Sequence, residues 1–130
     1  MSCLSRSRDI EWPSTADAES SEMPGVRYTI RQVSLERRAS LIRSIREVAK
    51  RVEFHQASDS LEEKLEASAL ALEIDAAYLR WGLIEIHGLA IDGEAATCES
   101  LIERGPESLV REIVAHIKRQ CSLTDEERKN

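Results

Sequence analysis

Leu61-Glu62-Glu63-Lys64-Leu65-Glu66-Ala67-Ser68-Ala69-Leu70-Ala71-Leu72-Glu73-Ile74-Asp75-Ala76-Ala77-Tyr78-Leu79-Arg80-Trp81-Gly82 is the stretch that decides the fold. Ser60 and Glu63 form a capping box that starts a helix, and Gly82 ends it. At 3.6 residues per turn this helix has two apolar stripes. Leu61, Leu65, Ala69, Leu72, Ala76 and Leu79 make one. Ala67, Leu70, Ala71, Ile74, Ala77, Tyr78 and Trp81 make the other, and Glu62, Glu66 and Glu73 lie in the seam between them. A helix apolar on two sides is either central in its own domain or half-covered by a partner.

Upstream, Ser34 stands at an N-cap position and the sequence keeps a helical period from Leu35 to about Phe54. Leu35, Leu41, Ile42, Ile45, Val48, Ala49 and Val52 fall on one broad arc, with Arg38 inside it, where it should snorkel or meet an acid. Arg43, Arg46 and Lys50 form a separate stripe flanked by Arg37 and Arg51. Residues 27–51 hold eight Arg/Lys against two Glu, a local charge of +6 in a chain of net −6, so the remainder carries −12. Such a basic helix takes opposite charge from its own fold or from a partner. Pairing with Glu62, Glu66 and Glu73 across the hairpin, or with an acidic protein, is the favoured expectation, and nucleic acid is the alternative. Val26, Tyr28 and Ile30 alternate with Arg27, Thr29 and Arg31, which predicts a short strand. Residues 1–25, rich in Ser, acid and Pro, read as a disordered leader, with Trp12 a stray aromatic in it.

Downstream, a two-residue turn at His87-Gly88 predicts a hairpin pairing Ile86 with Leu89 and Ile84 with Ile91, closed by Asp92-Gly93. Thr97 caps a short helix through Arg104, stopped by Gly105. Pro106 opens another, with Leu109, Val110, Ile113, Val114 and Ile117 on its apolar face. Thr124 and Glu127 make a further capping box near the end. The prediction is a mostly helical α+β fold: a long antiparallel helical hairpin, a small antiparallel sheet of two or three strands and C-terminal helices. Residues 26–130 form one domain.

No run of eighteen apolar residues suggests a membrane span, no apolar stretch suggests a signal peptide, and three unpatterned cysteines suit a reducing cytoplasm. His55, His87 and His116 lie in separate elements without metal-ligand spacing. Cys98 at a helix start is a nucleophile candidate through the helix dipole, but no oxyanion-hole motif or Gly-rich loop accompanies it, and a structural thiol is the expectation. The glycines are spaced like turns, not like a phosphate loop. No catalytic residue, cofactor or metal is expected, and the chain reads as a non-enzyme.

Tyr78-Leu79-Arg80-Trp81-Gly82-Leu83, Ile84-Glu85-Ile86-His87-Gly88-Leu89, Ile91-Asp92-Gly93-Glu94, Gly105-Pro106-Glu107-Ser108-Leu109 and the closing Leu123–Asn130 resemble the small tail assembly chaperones of tailed phages and prophages. The likeness covers about four-fifths of the chain, from Tyr28 onward; the leader and the strongly basic first helix depart from it. It implies a cytoplasmic protein of a bacterial host cell. It further implies that the chain binds amphipathic helical segments of a tape-measure-like partner, keeps them soluble and recruits tube subunits. The family has no catalytic residues to carry over. The stripe of Leu70, Ile74, Tyr78 and Trp81 is the expected partner contact, unless the sheet and the C-terminal helix cover it. A homo-oligomer is left open.

Overall fold

A computed structural model describes residues 9–57 and 59–121. Its elements are strands β1 (Thr15–Glu19) and β2 (Arg27–Arg31), helices α1 (Leu35–Gln56) and α2 (Leu61–Gly82), strands β3 (Leu83–His87), β4 (Ala90–Ile91) and β5 (Glu94–Ala95), and helices α3 (Cys98–Arg104) and α4 (Glu107–Cys121). The predicted mostly helical α+β class is what is observed, and α1 and α2 form its long hairpin.

The caps explain the helix boundaries. Ser34 Oγ accepts the Arg37 amide, Ser60 Oγ accepts that of Glu63, and Thr97 exchanges a reciprocal pair with Ser100. Each supplies a partner to an amide that the helix leaves orphaned, worth about 1 kcal/mol. The 22 residues of each long helix make rods of about 33 Å. The Thr124/Glu127 box and Ser58 lie outside the described residues.

The sheet corrects two expectations. Residues 1–25 were expected to carry no regular structure, yet β1 pairs antiparallel along β2, from Thr15 opposite Arg31 to Glu19 opposite Arg27. Its inward residues are only Ala16 and Ala18, so its alternation is faint in sequence. A buried-end clasp replaces that missing side-chain burial. The Glu112 carboxylate on α4 accepts from Ser20 Oγ at 2.6 Å, the Ser21 amide at 2.9 Å, Ser21 Oγ at 3.3 Å and the Glu22 amide at 3.2 Å, tying the β1–β2 turn to α4.

The second correction concerns His87-Gly88. β3 does not fold back on residues 89–91 there; it pairs with β2, Tyr28 opposite Ile86 and Ile30 opposite Leu83, with a bulge at Thr29/Ile30. β2 is therefore central and offers β3 an open edge, giving the order β1-β2-β3. A Cβ on Gly88 (φ +86°) would come within 2.5 Å of the Gly25 carbonyl oxygen, so this glycine is needed for close passage beside the β1–β2 turn. The tight hairpin sits instead at Asp92-Gly93, between β4 and β5. Both residues have positive φ, 52° and 83°, as a type I′ turn demands, and Asp-Gly meets that demand more easily than His-Gly.

Val26, Tyr28 and Ile30 of the sheet side, Leu41 and Ile45 of α1, Leu79 of α2, Leu101 of α3 and Leu109, Ile113 and Ile117 of α4 close one core. Gly82 is the contact point of α2 with α4. A Cβ there would lie 2.7 Å from Ile117 Cδ1 and 2.9 Å from both Ile117 Cγ atoms. Its role is close approach, in addition to ending the helix.

Gly82→Ala should lower stability by about 1–3 kcal/mol in urea unfolding, because overpacking against Ile117 outweighs the roughly 1 kcal/mol gain in helix propensity. The Glu112 carboxyl is drawn upward by burial, but its hydrogen bonds from Ser20, Ser21 and Glu22 outweigh this and hold it below the ordinary glutamate range. A depressed carboxyl stabilises the fold above the unfolded-state pKa of about 4.3, and that contribution is lost as pH falls through the lower folded value. Glu112→Gln should therefore be less stable than wild type at neutral pH, with the gap narrowing in melts run progressively below pH 4 or so.

Candidate functional site

α2 buries much of one apolar stripe, although Ala71 is exposed, and buries less of the other. Leu70 (1% exposed) and Tyr78 (2%) are buried, while Ile74 and Trp81 are half-buried and packed on the core. Leu70, Ile74, Tyr78 and Trp81 were the expected partner contact. Leu70 and Tyr78 are thus turned into the core, while Ile74 and Trp81 keep part of their surface open. Lys118 closes this region, with Nζ 3.2 Å from Asp75 Oδ1 and 5.1 Å from the Tyr78 ring centre.

The opposite stripe is covered only at its end. Leu79 is fully buried, but Leu72 is 56%, Leu65 61% and Leu61 72% exposed. Contacts of α4 on α2 fall at Asp75, Tyr78 and Gly82, so the distal turns project beyond the body. At the tip of the hairpin Phe54 is also largely exposed. Where the stripe meets the body it enters an open groove of about 570 Å³. Ala69, Leu72 and Ala76 form one wall, and Leu101, Ile102 and Val110 the other. Glu73, Asp75, Arg80, Glu107 and Arg111 rim it. Arg80 is held by Glu99 through two hydrogen bonds, 3.0 and 3.2 Å, and Arg111 by Glu107 at 2.7 Å. Asp75, Arg80, Glu107 and Arg111 are thus already paired, with Asp75 held by Lys118, leaving Glu73 as the rim charge without an ion pair among the described residues.

Both apolar stripes were legible; the choice between them was not. The covered stripe carries Tyr78 and Trp81, bulkier than anything on the open one, whose turn at Ser68-Ala69 is small and partly polar. Bulk and aromatic content were the signal for the buried side.

The basic stripe is exposed as expected, but its expected intrachain partners are absent. Arg43, Arg46 and Lys50 lie on the face of α1 turned away from Leu41, Ile45 and Val52. Among the described residues no acid lies within 4.0 Å of any of them, and Glu62, Glu66 and Glu73 have no ion pair either. The reason is geometric: the stripe and the glutamates occupy different sides of the hairpin.

The Cys98 thiol is not activated by its helix. Burial, then the neighbouring Glu99, push it above the ordinary thiol range, against the opposing Arg80 charge. Burial also raises the Cys121 thiol, to about 11. His116 Nδ1 lies 3.2 Å from the Tyr28 hydroxyl and its other ring nitrogen 3.5 Å from Gln120 Nε2, which accounts for it as a packed helix residue. No group of three metal-capable side chains occurs among the described residues. No helix among them is long and apolar enough to cross a membrane. Comparison with family models, with curated proteins and with solved structures finds no match.

Leu70→Ala should cost about 2–5 kcal/mol in denaturant unfolding, the range for a truncated buried leucine. Leu65→Ala, on the open stripe, should stay within about 0.5–1 kcal/mol. Equal losses at the two sites would show that the distal stripe is covered after all.

Proposed function

We propose that this chain is a non-enzymatic assembly chaperone or adaptor that captures an amphipathic helical segment of a partner protein. The observation that carries the proposal is the groove beside α2, continuous with the exposed leucines of the hairpin. A helix laid there would complete the second apolar side of α2 with anchors at helical spacing. The resemblance to tail assembly chaperones supplies the identity of the client, a tape-measure-like protein of a phage or prophage tail module. The apolar periodicity put the expected contact at Leu70, Ile74, Tyr78 and Trp81; the groove favours Ala69, Leu72, Ile102 and Val110 instead. Capture by apolar area needs no reacting group, which fits the unactivated Cys98.

The unpaired Arg43, Arg46 and Lys50 favour a second reading, a nucleic-acid-binding regulator using α1. Neutralising phosphates releases counterions, so such binding falls steeply with salt, whereas apolar capture does not.

A synthetic Leu/Ala/Gln amphipathic helix of about 20 residues is a suitable probe, since a helix of that length spans about 30 Å. Its binding should be nearly salt-independent and should be lost in the Leu72→Asp and Val110→Asp variants, both checked for native circular dichroism. Binding retained in both folded variants would remove the groove from the reading. Tight, salt-sensitive binding of a mixed-sequence oligonucleotide, abolished by Arg46→Gln and Lys50→Gln, would favour the second one instead.

A further inference from the structure

The hairpin carries two unpaired stripes of opposite sign. On α1, Arg43 and Lys50 stand seven residues apart, with Arg46 between them. On α2, Glu66 and Glu73 also stand seven residues apart, with Glu62 beyond. Seven residues is about 10.5 Å along a helix axis, so the two intervals match. All six side chains belong to exposed residues without an ion pair among the described residues. The two stripes cannot meet within one chain, because the basic one lies on the back of α1, turned away from α2. They can meet between chains.

From this complementarity we infer that the hairpin docks head-to-tail on a second copy of itself, the basic back of α1 from one copy lying antiparallel along α2 of the next. With Arg43 set opposite Glu73, Lys50 falls opposite Glu66. Glu47, the acid within the basic stripe, falls opposite the small Ala69 and not opposite a carboxylate. Phe54 then reaches the turn holding Leu61, Glu62 and Leu65, so the exposed aromatic of one surface meets the exposed leucines of the other. Because α1 and α2 are already antiparallel within the chain, the same operation applied again adds a third copy. The contact is heterologous, and it grows into a ring or an open stack and does not stop at a two-fold dimer. Exposed ion pairs are individually weak and screened, so the association is salt-sensitive and concentration-dependent. This contact goes beyond client capture: it shares Ala69, Glu73 and the exposed leucines of α2 with that surface, but the α3–α4 wall of the groove takes no part.

Sedimentation equilibrium of the full chain up to about 1 mM tests this. The average mass should rise past that of a dimer at low salt and fall toward the monomer in about 1 M salt, where the screening length is about 3 Å. Two neutralised variants give the decisive arm: Arg43→Gln/Arg46→Gln/Lys50→Gln, and Glu62→Gln/Glu66→Gln/Glu73→Gln. These exposed positions leave the core intact, which circular dichroism and urea unfolding would verify independently. Each variant alone should remain monomeric. Their equimolar mixture should form a 1:1 pair and nothing larger, because only one complementary contact is left. A wild-type chain that stays monomeric at low salt overturns the inference. So does a closed dimer indifferent to both variants, or a mixture that fails to pair.

Discussion

The second helix of the hairpin has two apolar sides, and α4, as described to Cys121, covers one of them only near its end. That shortage organises the molecule. Gly82 lets α4 approach until Ile117 sits where a side chain would otherwise be, and Leu79 is sealed at this crossing. The other apolar side buries Ala67, Leu70 and Tyr78. Each fully buried leucine is worth roughly 1.5–3 kcal/mol, so α2 is fixed firmly at its base and along α1. Leu61, Leu65 and Leu72 receive no such cover among the described residues.

Polar contacts follow the same division. Those that cross between distant elements are concentrated in the body: Glu112 on the β1–β2 turn, Lys118 on Asp75 and Arg80 on Glu99. Along the distal hairpin Arg43, Arg46, Lys50, Glu62, Glu66 and Glu73 make no ion pair among the described residues. Its stripes lie on separate sides, and surface pairs of this kind would have contributed only about 0–1 kcal/mol had they formed. The body therefore holds itself together, while the hairpin presents a charged back, an acidic flank and a leucine stripe outward. The thiols of Cys98 and Cys121 are both raised by burial.

Local signals were readable in particular residues. Ser34, Ser60 and Thr97 marked helix starts because a hydroxyl acceptor at those positions meets an orphan amide regardless of what lies elsewhere. Val26, Tyr28 and Ile30 announced a strand by alternation with large apolar groups. β1 was missed because its inward residues are alanines and its stability comes from the β2 ladder and from Glu112, some ninety residues away. The hairpin at His87-Gly88 was misread because a two-residue turn is a local possibility, whereas the open edge of β2 is a distant competitor. Asp92-Gly93 held the stronger turn chemistry throughout.

Sequence alone determined the helical hairpin, its caps, the central strand and the fact that α2 is apolar on two sides, since each depends on spacing within one segment. Tertiary structure alone decided which side is hidden. Coverage depends on where α4 crosses and how far it reaches, and the periodicity of α2 contains neither quantity. The same holds for the charges: their spacing along each helix is written in the chain, but whether opposite stripes face each other depends on how the two rods are rotated when they pack.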